Sequence, residues 1–476
     1  MRLKNEIALC LTMASIFSDL VVYPYMYYLI VLIVTLLPLN AVGNERLFSE
    51  EEQQDLKHAH WVMFGDKGQR RTALRQIARE RNQKMVAPLV YALRFSGGNV
   101  RPDIVSTLEK VTRKSYGDDW FKWTEWIQDR PELGTIAGFD IYLSYLLKSL
   151  DSRFSLFVYP GVAHDIPLHE IVWGGVAAFD GIPPLDHPKM IAAQDADYLG
   201  ENELVFGVAI NGETRAYPYR FMDWHEMLND TVGGQSVSLA YCTLCSSGIL
   251  YDTSLPDGTV KFGSSGLLYR SNKLMFDYAT NSLWNQFTGQ PAVGKLVGSG
   301  LQLEVLPLVT TTWREWRALH PTTQVMHPET GFARDYTPGK PYGSYFKDRA
   351  LMFPSPDDER TLAQKALVFG LRVSGSAKAW PLKAFRRGAV VNEQLGTLNV
   401  VLLGSEANRD VRAYRRGEIN FDKQEGAQLW DSQGREWRVT ESALVGPDNQ
   451  RLTRLPGHLG YWFAWHNYFG VETLAE

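Results

Sequence analysis

Two stretches of the chain alternate apolar and polar positions with the period of a half-buried β-strand. At 204–240 the order is LVFGVAI, the dipeptide Asn211-Gly212, then ETRAYP, an irregular segment and another strand; at 367–403 it is LVFGLRV, Ser374-Gly375, then SAKAWP and the same succession. An Asn-Gly pair between two alternating runs predicts a tight hairpin. The stretches align without gaps, pairing Gly207 with Gly370, Gly212 with Gly375, Pro218 with Pro381 and Asn229 with Asn392. Downstream, Phe276-Asp277 and Leu283-Trp284 are set against Phe421-Asp422 and Leu429-Trp430, and Leu306-Pro307, Trp313 and Trp316 against Leu455-Pro456, Trp462 and Trp465. This internal duplication predicts two related β-rich lobes, a first at 161–350 and a second at 351–476, built as barrels or a sandwich. The polar, Pro-bearing segment LMFPSPDDERTLAQ at 351–364 reads as their connection, and TTWREWRALHP at 311–321 as one or two turns of helix.

Upstream the period changes to that of a helix. Leu74, Ile77, Val86, Leu89 and Leu93 recur at helical spacing, as do Ile104, Leu108 and Val111, and Trp120, Trp123 and Trp126 form a stripe. These predict a small helical module over 50–160, with the Trp stripe in its core and the Arg-rich run near 70–84 on a solvated face or against anionic lipid. Further upstream, Leu20 to Leu39 is almost wholly apolar. Twenty helical residues rise about 30 Å, the thickness of a hydrocarbon core. Arg2 and Lys4 precede this window, and Glu45, Glu50, Glu51 and Glu52 follow it. The charge bias predicts a single membrane-spanning anchor over 1–43, with membrane lipid as its partner and the bulk of the chain extracytoplasmic. A signal peptide cleaved near Asn40–Gly43 is the alternative. The expected fold class is therefore mainly β: two related lobes preceded by a small helical module and an N-terminal transmembrane helix.

Composition narrows the function classes. Of 476 residues, 49 are Lys or Arg and 53 Asp or Glu, a net charge of −4, which excludes a strongly basic nucleic-acid binder. Hydrophobic residues make up 45% and charged ones 21%, the balance of a folding chain. Three cysteines exclude a disulfide-stapled scaffold. Cys10 falls in the apolar N-terminal segment, where packing is its simplest role.

The duplication separates scaffold from chemistry. Both copies keep glycine, proline and the apolar pattern; only the first has His225, Cys242 and Cys245, where the second has Gly388, Ser405 and Asn408. Cys242 and Cys245, in SLAYCTLCSSGILYD, can chelate one soft metal ion or form a redox-active disulfide. With so few cysteines, a metal must recruit other ligands. His225 is the leading recruit and Met275 a second, and a Cys/Cys/His/Met set suits copper best, with zinc as the alternative. Glu226 is then a candidate base, and Arg270 a candidate holder of an anionic substrate. Oxidoreductase chemistry at copper is the expectation. Thiol–disulfide exchange, and a non-catalytic binding scaffold with the cysteines as a simple clip, are the alternatives. Ser264, Ser265, Ser271 and Asn272 offer polar groups to a pocket, and the glycines around Gly263 and Gly266 match neither a phosphate loop nor a dinucleotide fingerprint. His58 and His60, just past the apolar segment, could touch a metal or nothing.

The sequence resembles the DUF3179 family. The resemblance rests on GIPPLDHPKM, LVFGVAINGETRAYPYRFMDWHEMLNDTVGG, LAYCTLCSSGILYD, FGSSGLLYRSNKLMFDYATNSLWNQFTGQPAVG, TTWREWRALHP, PYGSY and KAWPL, together covering about 160–470. The family's CPLCG-type segment stands here as Cys242-Thr-Leu-Cys245-Ser, so Thr243 and Ser246 replace its proline and glycine and the turn geometry is expected to differ. Trp224-His225-Glu226 keeps the family's WHE element. The resemblance implies a shared domain with Cys242, Cys245 and His225 as its characteristic polar residues, and brings no settled activity with it.

Overall fold

The structure is a computed structural model that describes residues 46–256, 258–356, 361–386 and 388–475. The proposed anchor at 1–43 lies outside the described residues. Among them, no helix is long and apolar enough to cross a membrane.

The helical module forms as its periodicity predicts, with helices Glu50–Phe64, Lys67–Glu80, Val86–Phe95, Arg101–Thr112, Trp120–Gln128 and Phe139–Leu150. Asp66 starts the second with a capping box: its carboxylate accepts from Gln69 N–H at 2.9 Å, and Gln69 Oε1 accepts from Asp66 N–H at 3.0 Å. Leu74, Ile77, Leu89, Leu108 and Trp123 are buried. Their apolar cluster runs on into Ile171, Leu267, Leu274 and Phe276 of the first lobe, so the module is built onto a sheet. Arg94 fixes the join, donating to Trp173 O at 2.7 Å.

The first lobe has three five-stranded sheets. One runs Ile171–Trp173, Phe262–Tyr269, Asn272–Asp277, Leu283–Asn285, Pro291–Val293; the next Val305–Leu306, Ser247–Asp252, Gln235–Cys242, Met227–Val232, Leu185–Asp186; the third is centred on the hairpin Leu204–Ile210 and Glu213–Pro218. The second lobe has a three-stranded sheet around Leu367–Val373 and an eight-stranded sheet from Ala389–Leu395 round to Phe421–Glu425. Asn392 joins the outer strands of the eight: its amide donates to Phe421 O at 2.7 Å and its Oδ1 accepts from Phe421 N–H at 2.9 Å, which curls the sheet into a barrel-like form.

The duplication is present in register and in packing. Val205 pairs with Pro218 as Val368 does with Pro381, and Gly207 with Val309 as Gly370 does with His458. At both glycines a tryptophan ring, Trp316 or Trp465, occupies the space a Cβ would need. Asn229 bridges the backbone of Phe262 (2.9 and 3.1 Å) as Asn392 bridges that of Phe421.

This bridge corrects the downstream alignment. Phe421 corresponds to Phe262, not Phe276. The indole of Trp284 donates to Asp277 at 2.9 Å and that of Trp437 to Asp431 at 3.0 Å, so Trp437, not Trp430, is the counterpart of Trp284. The matched Phe–Trp pairs both lie 5.4 Å apart, edge to face. The sequence match failed because the intervening hairpin differs in length: Phe262–Asp277 in the first lobe, Phe421–Asp431 in the second.

Candidate functional site

Strand Gln235–Cys242 pairs with Ser247–Asp252, and the turn between them is the 3-10 segment Thr243–Cys245 followed by Ser246 at φ 51°. Ser246 takes the left-handed conformation that suits a glycine, at a cost of about 1–2 kcal/mol. The turn therefore closes without the family's glycine. Cys242 and Cys245 are both buried, their sulfurs 2.9 Å apart.

The sulfurs meet a second turn. Arg270 (φ 49°) and Ser271 (φ 60°) link Phe262–Tyr269 to Asn272–Asp277, a two-residue hairpin loop of the kind Asn-Gly normally fills. The Cys245 thiol donates to Ser271 O at 3.3 Å, and Asn272 Nδ2 donates to Cys245 Sγ at 3.3 Å. Gln286 holds Asn272 through Oε1 at 2.7 Å while donating to Ala240 O and Ser247 O at 2.8 and 3.0 Å. Burial, and then the neighbouring Cys242 sulfur, push the Cys245 thiol well above its ordinary range.

Beside the sulfurs lies a buried ion pair. Helix Tyr219–His225 ends on Glu226 at φ 57°, whose N–H donates to Met222 O at 2.8 Å. Its carboxylate takes Lys273 Nζ at 2.9 Å, Thr243 Oγ1 at 2.9 Å and Tyr342 OH at 3.3 Å. Lys273 is only 3% exposed. Cys242, Glu226, Lys273 and Tyr342 line one small cleft, whose remaining wall includes Val176, Leu244, Leu267 and Phe353. Four non-glycine residues at positive φ (Glu226, Ser246, Arg270 and Ser271) thus gather around one pair of thiols. Such strain persists only where the surroundings over-determine it, and it concentrates at functional sites.

Not all of the expected residues meet there. His225 faces away: Nδ1 bonds Pro183 O at 2.8 Å and Nε2 bonds Tyr336 OH at 2.7 Å. His225 is the last residue of its helix and Glu226 the cap after it, and the two side chains leave the chain in different directions. Met275 is fully buried in an apolar cluster with Met227, Phe262 and Trp284. Arg270 is held by the Glu170 carboxylate at 2.7 Å and by Asn467 O at 2.8 Å, a structural clamp. The Cys/Cys/His/Met set expected for copper or zinc is therefore not assembled, and among the described residues no group of three or more His, Cys, Asp or Glu is arranged to hold a metal ion. Ser264 lines the cleft, whereas Ser265 is tied to the backbone carbonyl of Leu274 at 2.5 Å. His58 bonds Gln54 at 2.6 Å, and His60 packs on Phe64 and Tyr145.

Sequence reasoning passed over Lys273, Tyr342 and Asp223. Lys273 had a signal: a lone lysine in the strand NKLMFD, whose other positions are largely apolar, demands a buried partner. Tyr342 stands in the PYGSY stretch that carries the family resemblance, but nothing local ties it to Glu226, more than a hundred residues away in the chain. Asp223 is buried with one hydrogen bond, from Tyr241 OH at 3.3 Å, and burial pushes its carboxyl up to about 8.

The family model described as "Protein of unknown function (DUF3179)" matches residues 179–472. The searches of curated proteins and of solved structures gave no match. The matched span is more than half of the chain and takes in both lobes, the cysteine turn and the Lys273–Glu226 pair, and the chain therefore belongs to the DUF3179 family.

Proposed function

We propose that Cys242 and Cys245 form a dithiol–disulfide couple that exchanges with a substrate disulfide. The observation that carries this reading is the 2.9 Å approach of two buried sulfurs, one of which, Cys242, lies in the wall of a cleft. In the reducing direction the Cys242 thiolate attacks one sulfur of R–S–S–R′, and R′S⁻ leaves and takes a proton. Cys245 then loses its proton and attacks Cys242 Sγ, and RS⁻ leaves and is protonated. The protein dithiol loses two electrons to become a disulfide, and the substrate gains them as two thiols. The geometry favours Cys242 as attacker and Cys245 as resolver, because Cys245 is the more enclosed and its thiol is held protonated by burial. Glu226 and Lys273 supply fixed charges in the same wall. A membrane-anchored, extracytoplasmic location, as the N-terminal segment implies, is compatible with such a couple.

The test is mass spectrometry of the chain in a Cys10→Ser background, equilibrated in glutathione buffers. The expected result is reversible loss of the two thiol hydrogens, with Cys245→Ser trapping a mixed disulfide at Cys242 and Cys242→Ser trapping none. Two thiols that never oxidise, with one copper per chain that the double Cys→Ser variant lacks, would overturn it in favour of Cu(I) held by the two thiolates. Neither chemistry would leave the cysteines as part of a binding scaffold.

A further inference from the structure

The second lobe carries a cleft of its own where the first lobe has its cysteines. Ser405 and Asn408, the counterparts of Cys242 and Cys245, line it. The cleft exists because the second lobe's hairpin stops at Gly426-Ala427, while the first lobe's longer hairpin carries Ser271 and Asn272 onto the Cys245 sulfur and Lys273 onto Glu226 beside it. It encloses about 540 Å³, within the roughly 300–1,000 Å³ of small-molecule sites.

Its floor is charged and ordered. Tyr414 pairs with Arg454 as Tyr251 pairs with Val305, so arginine replaces valine at one matched position, and Arg412 replaces Ile249 at another. Arg412 forks onto Glu441 at 2.7 and 2.9 Å and also binds Asp410; Arg454 binds Glu441 and donates to Leu308 O at 3.0 Å. His320, from the end of the Trp313–Leu319 helix, reaches Glu441 at 3.4 Å. A fold does not need these charges, since the sister lobe fills the same places with apolar side chains. Arg454 Nε, in the same network, has no hydrogen-bond partner.

We propose that this cleft binds an uncharged, hydroxyl-rich small molecule, with a sugar as the simplest fit. Arg412 in the lining and Arg454 behind it are paired with Asp410 and Glu441, and Arg438 and Glu315 add one charge of each sign to the wall. His320 adds no charge at neutral pH, because burial lowers it to about 4. A net anion or cation therefore gains little, whereas rigid carboxylate and guanidinium edges beside the Asn408 amide and Ser405 hydroxyl present fixed donors and acceptors in alternation.

The experiment is saturation-transfer NMR on the full chain with cellobiose and N-acetylglucosamine, and with citrate and inorganic phosphate as anionic arms. Two variants leave the buried network intact: Asn408→Ala removes a wall amide, and Ala427→Trp refills the space the short hairpin leaves. Sugar transfer in the parent, about tenfold weaker in Asn408→Ala and lost in Ala427→Trp with unchanged thermal midpoints, supports the site. Sugar transfer equal in all three proteins overturns it, as does transfer to the anions alone or to none of the four probes.

Discussion

The two lobes share a scaffold and differ in what they bury at one place. Both pack a tryptophan against a strand glycine, both tie an asparagine across to a phenylalanine backbone, and both seat an indole on an aspartate. At the turn after the long central strand they diverge. The first lobe closes over two thiols and the Lys273–Glu226 pair; the second stays open over a network of arginines and carboxylates. The length of one hairpin decides which. A duplicated fold thus keeps its packing rules in both copies and varies its chemistry through loop reach, as expected when sites are grafted onto a scaffold.

The comparison is tested most severely by breaking the buried charges. Lys273→Met leaves Glu226 unpaired, and Glu441→Gln leaves Arg412 and Arg454 short of a counter-charge; each should cost about 3–5 kcal/mol in urea unfolding. Lys273→Met combined with Glu226→Gln should recover most of the loss. If Lys273→Met alone were neutral, the ion pair would not be the buried element described here.

The shared packing predicts matched losses. Gly207→Ala and Gly370→Ala each force a Cβ into a tryptophan ring and should destabilise by about 1–3 kcal/mol. A thermal shift in one lobe's variant and none in the other's would show that the equivalence is sequence-deep only. The asparagine bridges come next. Asn229→Ala, at a buried site, should cost about 1–3 kcal/mol, and Asn392→Ala less, because Asn392 is exposed and water can take the place of its amide.

Counted per unit of pH, the remaining effect is the smallest. Asp223 keeps its proton in the folded chain up to about pH 8, whereas the unfolded chain releases it near its ordinary value of 3.8. Between those values the folded state binds more protons, so stability falls as pH rises, by roughly 1.4 kcal/mol per unit at most from this group. Asp223→Asn, which keeps an acceptor for Tyr241 OH, should flatten that slope in unfolding midpoints measured across about pH 4–8, the span between the two values. An unchanged slope would mean that Asp223 is ionised in the folded protein.

Much of the fold is legible in the chain, because period and turn chemistry are local. Asn211 and Gly212 both take positive φ in the hairpin the alternation predicts, and the helical module follows its apolar spacing. The duplication is legible wherever no hairpin changes length, and misaligned where one does. The cysteine pair is legible too, since three residues of chain hold both sulfurs at one turn.

What the sequence by itself determined is therefore the repeated hairpins, the helical module, the pairing of the two lobes and the closeness of Cys242 to Cys245, but not the short helices Tyr219–His225 and Trp462–Phe469 that follow strands in the two lobes. Tertiary structure alone decided which residues join them. Glu226 and His225 are neighbours in sequence, yet one side chain pairs with Lys273 and the other bonds Tyr336. Tyr342 reaches the site from a distant loop. Side-chain direction at a left-handed turn and contacts across long chain separations depend on the packed whole, and no local pattern encodes them.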